Sequence, residues 1–282
     1  MTVPFNPKCL KSLQLPQITN IGIKSLGSFS IVVGIILGSN ASFALPSANV
    51  IQTNADNTNK NVAYSPPPDA GTPKPTGGTG SRGGCLYESE RPSLASLVGQ
   101  PHLMLTTSER PVLWIYVPYS PTEAPTGTFS LQQGDNELYR GDFNLAATPG
   151  VVGISLPDTS PSLVAGQDYE WFIDLHCTVA IDDGTNVEPD PAILEGFIQR
   201  VPISDALSTE LANAQSGLDT VAAYGNHHIW YDLLTELARL RLETGPNPEL
   251  NTVWTDLLSD PNSVLLETWA TETLVEEVIA GE

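Results

Sequence analysis

The period of the apolar residues changes once along this chain, at Pro202, and no other feature limits the fold as strongly. Before it, apolar side chains recur at every second position. In Tyr169-Glu170-Trp171-Phe172-Ile173-Asp174-Leu175-His176-Cys177 the odd positions are Tyr, Trp, Ile, Leu and Cys, while the even ones are mostly polar. That alternation marks a half-buried strand with Cys177 on the core side beside Trp171. Pro111-Val112-Leu113-Trp114-Ile115-Tyr116-Val117-Pro118 is apolar on both faces and bounded by prolines, so it reads as a central strand. The runs 128–132 and 137–143 alternate, and Gly134-Asp135-Asn136 joins them as a hairpin. Residues 102–107, 151–156 and 193–201 supply further strands. About seven strands with no helical run between them predict an all-β antiparallel sandwich over 85–203, immunoglobulin-like or jelly-roll-like.

After Pro202 the period becomes helical. Ser204 caps a predicted helix over 205–214, with Leu207 and Leu211 one turn apart. The stretch 220–242 carries Ile229, Leu233, Leu234, Leu237, Leu240 and Leu242 and stops at Gly245-Pro246. Residues 251–258 and 263–279 read as further amphipathic helices, so 204–282 is expected to be a small α-helical module. Trp230 and Tyr231 open one of its helices, placed to staple it to the strands.

The N-terminus has Lys8, Lys11 and Lys24 and no acid before Asp56. An apolar run over 26–37 passes into Ser39-Asn40-Ala41-Ser42-Phe43-Ala44. This is the charged, apolar, small-residue order of a secretory signal, which predicts a signal peptide over 1–44 cleaved after Ala44. The alternative is a retained anchor, but a spanning helix needs about 20 apolar residues, and Ser28, Ser30, Gly34, Gly38 and Asn40 interrupt the run. Cleavage removes three of the 12 bases and none of the 32 acids, leaving nine bases against 32 acids, a net −23. So acidic a surface disfavours nucleic acid and anionic headgroups as partners, because it offers no basic patch to replace their counterions. Cleavage is also expected to leave no stable membrane span. Residues 45–84 are dominated by Asn, Thr, Pro and Gly, cannot bury enough apolar surface to offset ordering, and read as a disordered tether. Two cysteines stay in the mature chain, Cys85 and Cys177. In a periplasmic or extracellular setting they are expected to pair, although spacing alone leaves open two buried thiols.

Candidate chemistry is sparse. Adjacent residues on a helix point about 100° apart, so His227 and His228 do not readily share one ion. His102 and His176 lie near no recognisable nucleophile motif. The loop Asp182-Asp183-Gly184-Thr185-Asn186-Val187-Glu188-Pro189-Asp190, with Asp174 on the preceding strand, offers calcium-type oxygens but not the spacing of a helix–loop–helix calcium site. A solvated acidic hairpin is the competing reading. No catalytic residue, cofactor or metal site is predicted.

Several motifs occur in a fixed order: Arg82-Gly83-Gly84-Cys85, Thr106-Thr107-Ser108-Glu109-Arg110-Pro111, Trp114-Ile115-Tyr116-Val117-Pro118-Tyr119, Tyr139-Arg140, Pro149-Gly150-Val151-Val152, Gly166-Gln167-Asp168-Tyr169-Glu170-Trp171, Gly196-Phe197-Ile198-Gln199-Arg200-Val201 and Ile229-Trp230-Tyr231-Asp232-Leu233-Leu234. In these the chain resembles, over about 83–258, the cyanobacterial family catalogued as domain of unknown function 928. The resemblance implies an exported cyanobacterial protein and no particular activity; the family is expected to carry glycine where His228 stands here. The helical part is also similar to a tetratricopeptide repeat, with Tyr224, Leu233, Leu237 and Leu240 at its core spacings and Trp254 and Leu257 opening a following one. Leu233 replaces the usual small residue, and Pro246 comes one position late. The resulting expectation is an exported, non-enzymatic envelope protein with an interaction or structural role, its partner a protein or an envelope polymer. The alternative is a carbohydrate-binding β-sandwich that recognises envelope or extracellular polysaccharide, and a hydrolase of unfamiliar type comes third.

Overall fold

In the computed structural model, which describes residues 62–67, 85, 90–97, 104–178, 191–260 and 267–281, the described residues form nine strands. They are β1 (Ala95–Ser96), β2 (Met104–Thr106), β3 (Leu113–Val117), β4 (Thr126–Gln133), β5 (Asn136–Asn144), β6 (Gly150–Ser155), β7 (Asp168–His176), β8 (Ala192–Arg200) and β9 (Leu274–Ile279). One sheet has the order β1-β3-β6-β9 and the other β2-β8-β7-β4-β5. β3 is an inner strand and all five of its residues are buried, which is why its sequence is apolar on both faces. In β7, Tyr169, Trp171, Ile173 and Leu175 are buried, on the face the alternation predicted. Gly134 takes a positive φ of 58° at the β4–β5 turn, where the hairpin was expected.

The expected purely antiparallel pairing is corrected at two places. β2 runs parallel to β8, and β6 runs parallel to β9, so both sheets are mixed. Alternation reports which face of a strand is buried; strand direction is set by the long connections between strands, which the pattern does not record.

Helices α1 (Asp205–Asn213), α2 (Gly217–Asn226), α3 (Trp230–Thr244), α4 (Pro248–Ser259) and the one-turn α5 (Glu267–Ala270) follow. Their ends obey local rules. Ser204 accepts from the Leu207 amide, and Ser216 and Asp219 form a reciprocal capping box. Asn247 caps α4 ahead of Pro248, and Gly245, at φ 72°, ends α3. The predicted 220–242 helix is broken into α2 and α3 by a turn at His227 and His228. His228, at φ 63°, is the non-glycine residue with positive φ among those described.

The helix expected over 263–279 is corrected at its C-terminal part, where Leu274–Ile279 is strand β9. Leu274, Val275, Val278 and Ile279 satisfy a helical spacing as well as a strand, and the open edge of β6 decides between them. Residues 204–282 therefore return to the strand layer. Buried residues of both sheets and of α2, α3 and α4 form one apolar cluster that includes Trp114, Trp171, Trp230 and Trp254. Within the expected tether, residues 62–67 are described, and Val62 and Tyr64 are buried in that same cluster. Two apolar residues separated by one Ala are too short a signal to stand out among Asn, Thr and Pro. No described helix is long and apolar enough to cross a membrane. The predicted signal over 1–44, with its cleavage after Ala44, lies outside the described residues, as does His102.

Candidate functional site

Two of the quoted motifs meet where β2 ends and α3 begins. Asp232 is the third residue of α3, where the helix dipole favours a carboxylate. Its Oδ2 accepts from Thr106 Oγ1 at 2.6 Å and from the Thr107 amide at 3.1 Å, and its Oδ1 accepts from Thr107 Oγ1 at 2.6 Å. Burial pushes the Asp232 carboxyl above its usual range, and these donors only partly oppose it. With its oxygens engaged on one face by three donors, Asp232 fastens the helix to the strand.

A second fastening runs through the tryptophans. Trp171 Nε1 on β7 donates to Tyr231 Oη at 2.9 Å, and Trp114 Nε1 on β3 donates to Thr235 Oγ1 at 3.1 Å. Helix α3 is thus bonded to both sheets. Trp230 Nε1 donates to the Leu97 carbonyl at 2.9 Å. Gly196 on β8 lies under Trp171, and a Cβ there would fall 2.3 Å from the indole. These bonds require the residue types the motifs supply, because a buried indole N–H without an acceptor is costly.

Beside this junction lie two adjoining cavities of about 140 and 700 Å³, which share Ser108, Arg110, Val112 and Arg239 in their walls. Asp232, Glu236 and Arg239, at i, i+4 and i+7 of α3, line the smaller one. Burial raises the Glu236 carboxyl, opposed by the nearby Arg239 charge. Arg110 donates to the carbonyls of Asp158 and Ser160. Arg239 grips Glu277 of β9 through Nε at 3.0 Å and Nη2 at 2.8 Å, and Ser155 also donates to Glu277. Burial would raise Glu277, but the bonds from Arg239 and Ser155 outweigh it and hold the carboxyl below its usual range. Arg200 donates to the carbonyls of Leu163 and Thr107 and pairs with Glu109 at 3.2 Å. The groove is polar and charged, and most of its ionic groups are bonded to one another or to backbone.

The residues singled out from sequence are scattered around this site. His227 Nε2 meets Glu210 Oε2 at 3.0 Å, whereas His228 Nδ1 meets the Ser65 carbonyl at 2.7 Å, so the two imidazoles serve different contacts. His176 lies between Thr126 and Thr128. Among the described residues no group of three His, Cys, Asp or Glu side chains is gathered for a metal ion. The acidic loop 182–190 lies outside the described residues, and Asp174 is half-buried on β7. The sulfurs of Cys85 and Cys177 are at disulfide distance with their Cα atoms 4.9 Å apart. Trp114, Trp171, Trp230 and Trp254 are fully buried, and no aromatic is among the exposed large apolar residues described. Sequence reasoning passed over Asp232, Glu236 and Arg239. Their signal was a polar stripe at helical spacing beside the apolar face of α3.

Fold and site together define a β-rich protein of two mixed sheets, pinned to C-terminal helices through one aspartate and a set of indole bonds. The profile described as Domain of Unknown Function (DUF928) matches residues 77–274, and the chain belongs to that family. No curated protein and no solved structure matches it.

Proposed function

We propose that this chain is an exported, non-enzymatic envelope protein that acts by binding other macromolecules. The observation that carries the reading is the cysteine pair. Cys85 and Cys177, 92 residues apart, stand at bonding distance in a chain whose first 44 residues have the order of a secretory signal. Disulfides persist in oxidising compartments. The most buried carboxylate of the site, Asp232, is occupied by threonine donors, which suits a fastening and not acid–base catalysis. In this reading the two sheets are the faces of an immunoglobulin-like or jelly-roll-like sandwich, and α2 with α3 is one tetratricopeptide-like hairpin followed by the opening of another at α4. Covalent crosslinking of the intact chain in its native compartment, followed by mass spectrometry, tests the binding role. Recurrent crosslinks from α2 or α3 to one protein support it, and crosslinks to none count against it.

A second reading, recognition of envelope polysaccharide, draws on the groove of about 700 Å³, whose walls include Ser108, Ser155, Asp158 and Thr159. It would rest on hydrogen bonding, since no aromatic side chain is among the described residues that line the groove. Retardation on a gel containing cell-wall polymer would favour it, with loss of that retardation in Arg110→Ala; unchanged mobility on every polymer would exclude it.

A further inference from the structure

Residues 62–67 lie across the corner between α2 and α3. Exposure alternates along them: Val62 and Tyr64 are buried, Ala63 and Ser65 exposed, as in an extended chain that presents one face to a groove. Tyr64 sits edge-on to Trp230 with ring centroids 4.7 Å apart, and its hydroxyl donates to Met104 Sδ at 3.3 Å. The corner is shaped to admit this segment. A Cβ on Gly225 would stand 2.6 Å from the Ala63 carbonyl oxygen, and His228, in its left-handed conformation, meets the Ser65 carbonyl. Among the described residues no backbone–backbone hydrogen bond ties 62–67 to the rest of the fold. The anchors are the Val62 and Tyr64 side chains and one carbonyl met by His228, so a segment of the same chemistry can replace this one without unmaking a sheet. The N–H of Trp230 is already satisfied by Leu97, so withdrawing the segment uncovers an apolar ring and no orphaned indole donor. Seventeen residues, 68–84, separate it from Cys85, and six of them are glycine and three proline.

We propose that the α2–α3 corner is a docking site for an extended peptide anchored by one buried aromatic residue, and that residues 62–67 are its resident occupant, a latch held in cis. The proposal rests on the binding reading above but not on export. Because the latch is covalently joined to the body, a competing segment must bind well or arrive in excess.

The test uses the mature chain with a protease site placed within residues 72–80, folded and then cut, so that the latch becomes a separate peptide. An excess of labelled peptide with the sequence of residues 61–68 should displace it and leave the near-ultraviolet circular dichroism of the body unchanged. A peptide carrying Tyr64→Ala should compete about 30-fold less well or worse, the effect of removing a buried aromatic anchor. In a body carrying Gly225→Ala, which favours helix α2 but blocks the Ala63 carbonyl, the labelled peptide should not bind. If the latch leaves only when the body unfolds, or the alanine peptide competes equally, or Gly225→Ala binds as the parent does, the corner is a fixed part of the core and the proposal fails.

Discussion

Asp232 and His228 carry opposite kinds of cost, and each can be measured. Burial holds the Asp232 carboxyl above 3.8 in the folded chain, with the threonine donors offsetting part of the shift. A carboxyl raised on folding contributes stability that is full below its unfolded value and is lost as pH rises through the folded one. The stability of the parent relative to Asp232→Asn is therefore expected to fall as pH rises above the ordinary aspartate value of about 3.9 in urea titrations; a difference that grows with pH would contradict the burial. At His228 the left-handed backbone, at φ 63°, costs a side chain roughly 1 kcal/mol. His228→Gly and His228→Ala both lose the contact to Ser65, but only glycine relieves the backbone. The glycine variant should be the more stable by about 1 kcal/mol in chemical denaturation. The resemblance already pointed to glycine there, yet the reason needed φ. Asp232 was likewise visible only as a letter in a motif, because its donors lie over a hundred residues away.

At the scale of elements, local pattern was readable wherever it was long. β7 came from its alternation, β3 from two apolar faces, α1 from Ser204 and the end of α3 from Gly245. It failed where pairing decided the outcome, at β9, whose six residues suit helix or strand until β6 offers an edge. The same dependence on neighbours makes Gly196 sensitive. Adding a Cβ drives β8 against Trp171 and disturbs its bond to Tyr231, so Gly196→Ala should cost about 1–3 kcal/mol, read as a drop in Tm. The cysteine pair constrains the chain over a separation of 92 residues. Chain entropy for a loop that long amounts to about 4–5 kcal/mol. The Cys85→Ser, Cys177→Ser double variant should lose stability of that order, and an unchanged Tm would show that the pair contributes nothing.

For the whole molecule, the sequence separated strands from helices except at β9, and Trp230 with Tyr231 was its one sign that the two share a core. That sharing comes from single long-range partners, such as Thr235 for Trp114, Tyr231 for Trp171 and Trp230 for Tyr64. The proposed function rests on the proposed compartment, which the cysteine pair suits because disulfides persist in oxidising settings. The intact mass of the protein recovered from its native source tests this most directly. A chain beginning at Leu45 is expected, with a mass about 2 Da below that of the fully reduced form, one disulfide's worth of hydrogen. A chain that retains Met1, or one with both cysteines as free thiols, would contradict it.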